Sequence, residues 1–327
     1  MMKSNSWLVR AACALVVCLG SVAAYAQSYP SKTIRLIMPY PAGGSTDTVG
    51  RLIAERLSAN LGQPVVVDNR PGASAQIGME AALKAPPDGY TLVMVTSTNA
   101  INHALNPKLP YDFPRDFQPI ALVAKAAQLL VVHPSIPVRT VKDFVALARS
   151  RPGQLSYASS GTGTSGHLCM EAFARDAKIS LIHVPYKGNQ PAINDLLGGQ
   201  VAAGFQNIVS VVPQVKAKRL TALGVSSAKR SALAPDVPTI AELGFPGFDI
   251  TAWFGIAVPA GVPQPIVDRL SKEIETILGT QQMRERLVGM GVDPSTLDSA
   301  KEFSDFVATD IKRWTRLVQD IRLKPTR

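Results

Sequence analysis

The groups best placed to do chemistry are backbone N–H donors in two glycine loops and one carboxylate beside the first. The run Met38-Pro-Tyr-Pro-Ala-Gly-Gly-Ser-Thr-Asp47 leaves an apolar stretch, residues 33–38, and enters a helical periodicity that starts near Asp47. The first N–H groups of a helix have no intrahelical acceptor, and the macrodipole adds partial positive charge, so such a turn favours an anion. A second strand, glycine loop and helix start follow at Ser159-Ser-Gly-Thr-Gly-Thr-Ser-Gly166, ahead of a helix from His167. The chemistry predicted is capture of a small carboxylate, not bond breaking. Asp47 is the sharpest ionisable residue, and it reads equally as a helix cap and as a contact to an amino group on the ligand.

Other chemistries lack their context. Gly161-Thr-Gly163-Thr-Ser-Gly166 spells G-x-G-x-x-G, but the next strand ends in Tyr186-Lys187-Gly188, where a dinucleotide site needs an acidic group for the ribose. Neither glycine loop carries the G-x-x-x-x-G-K-[ST] of a nucleotide phosphate loop. No G-x-S-x-G elbow is present. His167 is near Ser159, Ser160 and Ser165 in sequence, so a secreted hydrolase using Ser160 and His167 is the alternative reading. His103, His133, His167 and His183 are scattered, without H-E-x-x-H or zinc-type Cys/His spacing, so neither a metal nor a cofactor is expected.

The start of the chain reads as a signal peptide, residues 1–26. Lys3 and Arg10 are positive, residues 11–24 are small and apolar, and Ala24-Tyr25-Ala26 has the form of a cleavage site. Removing it takes Cys13 and Cys18 away and leaves Cys169 alone, so no intramolecular disulfide is expected. The formal charge of +10 falls to +8 without Lys3 and Arg10. What remains is spread thinly and without interleaved aromatics, which argues against nucleic acid and fits mild steering of anions.

The remaining chain, roughly 300 residues, exceeds one ordinary core, so two domains are expected. Apolar stretches at 33–38, 65–67 and 91–96 alternate with helical patterns, and the alternation restarts after 119 with strands near 155–158, 181–184, 201–205 and 221–226. Such alternation predicts α/β architecture with a mostly parallel sheet. Thr140 with Asp143 and Ser299 with Glu302 mark helix starts. Two long apolar runs, 120–132 and 248–258, read as crossings between two lobes, and only helices are expected after the second. The lobes are then 27–124 with 250–327, and 125–249. The loops at the carboxyl ends of the strands face one another across the cleft, so both glycine loops serve one site. Tyr40, Phe205, Trp253 and Phe254 are candidates for its walls or for the core.

Several runs taken together carry a family resemblance. They are Pro39-Tyr-Pro-Ala-Gly-Gly-Ser-Thr-Asp47, Asn69-Arg-Pro-Gly72, Asp88-Gly-Tyr90, Ser160-Gly-Thr-Gly-Thr164 with His167-Leu168, and His183-Val-Pro-Tyr-Lys-Gly188. Leu196-Leu-Gly-Gly-Gln-Val201, Pro235-Asp-Val-Pro-Thr239 and Ala257-Val-Pro-Ala-Gly-Val-Pro263 extend it over nearly the whole chain after residue 26. In order and content they resemble the Bug receptors, periplasmic solute-binding proteins of tripartite tricarboxylate transporters. The resemblance implies a two-lobed type II periplasmic-binding-protein fold with two hinge crossings that closes on a carboxylated solute. It implies ligand contacts from Tyr40, Ala42, Gly43, Gly44, Ser45, Thr46 and Asp47 in the first lobe and from Ser160, Gly161, Gly163 and Thr164 in the second. Ser97, Thr98 and Asn207 are added from their positions. The ligand is an organic acid, aromatic acid or amino acid, delivered to membrane permease subunits or reported to a sensor by a monomeric receptor. These loops contain no arginine to clamp a second carboxylate, which tilts the expectation towards monocarboxylates, aromatic acids or water-mediated diacids.

Overall fold

The computed structural model describes residues 29–106, 108–297 and 299–321; the segment read as a signal peptide lies outside them. Among the described residues, ten strands form one curled sheet, flanked by eleven helices. β1 (Ile34–Met38) pairs in parallel with β2 (Val65–Asn69) and β3 (Thr91–Thr96). Ile34, Leu36, Ile37 and Met38 of β1 are all buried, as befits a strand covered on both faces.

α1 (Ser45–Leu61) follows the first glycine loop. It buries Val49, Leu52, Ile53 and Leu57 along one face and ends at Gly62, whose left-handed backbone closes it. Each such apolar side chain contributes about 1.5–3 kcal/mol when fully buried, so this face fixes where the helix start points. α2 (Gln76–Leu83) joins β2 to β3.

β4 (Phe117–Val132) is the first crossing. Its residues 117–127 pair with β9 (Thr251–Pro259), the return crossing, and 128–132 pair with β7 (Ala203–Asn207), with β8 (Thr221–Val225) alongside. β7, β5 (Ser156–Ser159) and β6 (Ile182–Pro185) are parallel in the second lobe. The two long apolar runs thus become the paired strands β4 and β9, but every pairing these two make is antiparallel, so the sheet is mixed and not mostly parallel as the strand–helix alternation predicted: the chain crosses and returns through neighbouring strands.

Three short elements differ from it. Residues 97–105 form α3 (Ser97–Leu105), opened by a capping box in which Thr96 and Asn99 exchange side-chain and backbone bonds. α4 (Phe113–Asp116) precedes β4, and β10 (Asp293–Pro294) adds a two-residue bridge to β4 where only helices were expected. In the second lobe, α5 (Val141–Ser150) carries the capping box of Thr140 and Asp143. α6 (Ser165–Ala177), α7 (Asn189–Leu197) and α8 (Ile208–Lys216) complete that lobe.

The last helices are α9 (Gln264–Gly279), α10 (Gln281–Gly289) and α11 (Ala300–Asp320). α9 packs on α1 and β4, and α11 on α3 and β4. Among the described residues no helix is long and apolar enough to cross a membrane.

Candidate functional site

The first loop is built on Asp47. Its carboxylate is 3% exposed and accepts hydrogen bonds from Gly43 N at 3.0 Å, Arg51 Nε at 2.9 Å and Asn69 Nδ2 at 2.8 Å. Burial opposes ionisation, but the bonds from Arg51, Asn69 and Gly43 outweigh it, and the carboxyl is held below its ordinary range. Asn69, at the end of β2, also donates to Tyr40 O and accepts from Arg51. Asp47 thus folds the loop back on itself and onto the neighbouring strand. It does not cap its own helix: Gly44 is the N-cap, and no side chain accepts from the first turn of α1. Those N–H groups remain for an outside acceptor. Gly43 carries the positive φ of the loop, +81°, while Gly44 has φ −78°.

The second loop has the same character by a different device. Thr164 is the N-cap of α6, yet its hydroxyl donates backward to Gly161 O at 2.8 Å and leaves the first turn without a side-chain cap. Gly161 and Gly163 adopt φ +136° and +77°. Gly163 N donates to His167 Nδ1 at 3.1 Å, and Ser159 Oγ lies 2.7 Å from His183 Nε2. Burial pushes the His167 imidazole down to about 3, helped by the neighbouring His183, and burial alone pushes His183 down to about 4. Both rings are neutral at ordinary pH and serve as fixed supports for the loop.

These bonds bear on the hydrolase reading. His167 has Nδ1 committed to Gly163 and makes no bond with Ser160. The serine of this loop that does meet a histidine, Ser159, is fully buried and bonded to Gly161 O. Cys169 is a buried free thiol whose ionisation burial pushes up.

Contacts across the lobes bring the loops to one cleft. Ser74 Oγ donates to Thr162 O at 3.1 Å, and within the first lobe Asn102 Nδ2 donates to Ser74 O at 2.7 Å. A Cβ built on Gly188, at the start of α7, would lie 3.5 Å from Pro41 Cγ in the first loop. Ala42 and Gly43 are exposed, Gly44, Ser45, Thr46, Ser160 and Gly161 half-buried, and Gly163 and Thr164 buried. Tyr40 is hydrogen-bonded through its hydroxyl to Thr96 Oγ1 at 2.5 Å, beside the buried first turn of α3 that holds Ser97 and Thr98. Asn207 caps α8 through Val209 N at 3.1 Å. Phe205, Trp253 and Phe254 belong to the core.

The sequence did not single out Ser74, Asn102 or Asn69 as functional, nor pair Ser159 with His183. Asn69 and His183 lie in family-like runs, but only the strand order reveals their contacts. Ser74 and Asn102 carry no sequence signal beyond a small polar residue after a glycine and a polar residue inside a short helix.

Residues 49–323 match the family described as tripartite tricarboxylate transporter family receptor. Protein BugT of Bordetella pertussis (strain Tohama I) is 36% identical over 91% of this chain and 92% of its own. A protein of R. palustris solved with adipate is 35% identical, with a TM-score of 0.88 over 91% of this chain and 100% of that one. MatC of Rhodopseudomonas palustris, solved with bound malate, is 31% identical, with a TM-score of 0.83 over 89% of this chain and 100% of that one.

Proposed function

This chain belongs to the tripartite tricarboxylate transporter receptor family, and on that premise we propose that its cleft captures a small carboxylate between the two glycine loops. The observation that carries the reading is that α1 and α6 both start behind a glycine loop with no side chain capping the first turn. One carboxylate placed between two such starts receives charge-assisted hydrogen bonds from both lobes. The contacting groups are Tyr40, Ala42, Gly43, Gly44, Ser45 and Thr46 from one lobe and Ser160, Gly161, Gly163 and Thr164 from the other, with Ser97 and Thr98 nearby. Asp47 and Asn207 act through the loops and helix starts they hold.

The lobes comprise residues 27–124 with 250–327, and 125–249. Residues 1–26 export the chain to the periplasm, where it works as a monomeric receptor, not an enzyme, and hands its ligand to permease subunits or a sensor. The ligand is an organic, aromatic or amino acid. Adipate and malate are natural first probes because relatives were solved with them.

Thermal unfolding with adipate, malate, benzoate and glutamate tests the reading. A ligand at a hundred times its dissociation constant raises stability by about 2.7 kcal/mol. A flat response across a broad panel of carboxylic acids would overturn it. Product formation from an ester, lost in Ser160→Ala, would favour the hydrolase instead.

A further inference from the structure

The turn at residues 72–76 has an unusual backbone. Three consecutive residues with side chains, Ala73, Ser74 and Ala75, have φ of 45°, 51° and 78°. Left-handed conformations of this kind persist in residues other than glycine only where the surroundings over-determine them, and they gather at clamps and switches. Here the surroundings come from two directions. Asn102 of α3 grips Ser74 O, and Ala75 is buried at the start of α2, so the first lobe holds the turn from behind. In front, the Ser74 hydroxyl reaches across the cleft to Thr162 O, inside the second glycine loop.

Asn102 reaches that loop as well. Its Oδ1 lies 2.9 Å from where a Cβ on Gly163 would stand, with Leu105 Cδ1 at 3.2 Å. Gly163 is therefore seated against α3, and the absence of a side chain there lets the lobes meet. Thr162 and Gly163 face the first lobe through the turn and α3, while Gly161 and Thr164 complete the loop that leads into α6.

We propose that residues 72–76 form a closure latch. Ser74, positioned by Asn102, bonds Thr162 O in the closed arrangement alone, so the pair sets how much of the protein is closed, and thereby its affinity, without touching the ligand. The inference rests on the cleft being a two-lobed clamp, but its test does not depend on which acid the clamp takes. Ser74 and Asn102 are positioning residues. Losing one neutral hydrogen bond from the closed state lowers the closed-to-open ratio about fivefold.

The test is a distance measurement by pulsed electron spin resonance. Spin labels go on Glu55→Cys in α1 and Gln190→Cys in α7, both exposed, while the native Cys169 is buried. In the ligand-free protein, Ser74→Ala, Ser74→Gly and Asn102→Ala should each shift the distribution towards the longer, open distance, with the unfolding temperature of Ser74→Ala near that of wild type. Ser74→Ala removes only the hydroxyl, and Ser74→Gly removes the whole side chain while leaving the left-handed backbone at ease, so the two should open alike. Distributions that coincide with wild type in the folded Ser74 variants would overturn the latch, as would opening in Ser74→Ala but not in Ser74→Gly. Where adipate or malate binds the wild type, the variants should release it about fivefold faster at an unchanged on-rate; an unchanged off-rate would also count against the latch. Failure of both acids to bind the wild type counts against the carboxylate reading for those acids and leaves the distance distributions to decide the latch.

Discussion

The imidazoles of His167 and His183 stack with their centroids 4.0 Å apart and 18° from parallel, and each ring supports one residue of the second glycine loop. Tyr157 continues the stack behind them, 4.9 Å from His183. A second positive charge cannot be placed in this column cheaply, and protonating Nδ1 of His167 also removes the acceptor of Gly163 N–H. Both rings have pKa values lowered from about 6.5, to about 3 and about 4. Between those values the unfolded chain binds protons that the native protein refuses, so stability must fall as pH falls from 6.5 towards 4. The slope approaches about 1.4 kcal/mol per pH unit for each histidine. Urea unfolding at pH 7, 6 and 5 should show this loss, and His183→Gln should reduce it by about half, the share of His167 remaining. A stability that is level between pH 7 and 5 would mean the rings titrate freely.

Asp47 gives a separate window. Its carboxyl is held below the ordinary carboxylate range, so its contribution is complete above about pH 4 and lost only below that. Replacing it by alanine frees Gly43 N–H and removes one bond each from Asn69 and Arg51. Asp47→Ala is expected to cost about 1–3 kcal/mol of stability, and to weaken carboxylate binding more than tenfold because the first loop loses its shape. Calorimetry with a bound acid and thermal unfolding check the two effects. Unchanged affinity in the folded variant would show that the loop holds without its anchor.

The alternation of strands and helices was legible because burial on both sides of a parallel strand leaves a plain apolar run, as in residues 34–38 and 91–96. Both glycine loops were legible for a related reason: a strand must turn sharply into a helix there. α3 was not, since its capping box uses Asn99 where the usual pattern shows Glu or Gln, and its residues 97–102 are all buried, so no polar face alternates with an apolar one. The partners of Asp47 were out of reach too. Asn69 lies 22 residues away and meets it only because β2 pairs with β1 in the register that sets Met38 opposite Asn69. The turn of the first loop is made at Gly43, with φ +81°, and not at Gly44, with φ −78°, a distinction that two adjacent glycines do not reveal in sequence.

The two loops therefore rank their glycines differently. At Gly44 a Cβ meets nothing nearer than Pro41 O at 3.7 Å, and φ is ordinary, so Gly44→Ala should bind almost as wild type does. Gly43 has open space but φ +81°, so alanine there costs about 1 kcal/mol of backbone strain and a moderate loss of affinity. Gly163 combines φ +77° with the contact to Asn102 Oδ1, whose amide is held in place by the bond that Nδ2 donates to Ser74 O. Gly163→Ala should abolish measurable binding while each lobe stays folded. Calorimetry on the three variants checks the order; equal affinities would remove the close approach of Gly163 and α3 from any account of closure.

Asp310 ties the last helix to the return crossing. Its Oδ2 accepts from the indole N–H of Trp253 in β9 and of Trp314 in α11, both at 2.6 Å, and the carboxylate is 6% exposed. Burial raises its pKa, against the pull of the two indoles, Arg313 and Lys125. Asp310→Ala leaves two buried N–H donors without an acceptor and should cost about 2–5 kcal/mol. Asp310→Asn keeps an oxygen between the indoles and no longer has a charge to desolvate, so its loss should stay within about 1 kcal/mol. Urea midpoints of the two variants separate these cases, and indole fluorescence reports whether Trp253 and Trp314 have gained water. Equal losses would mean that the charge, not the shared acceptor, anchors α11 at the crossing.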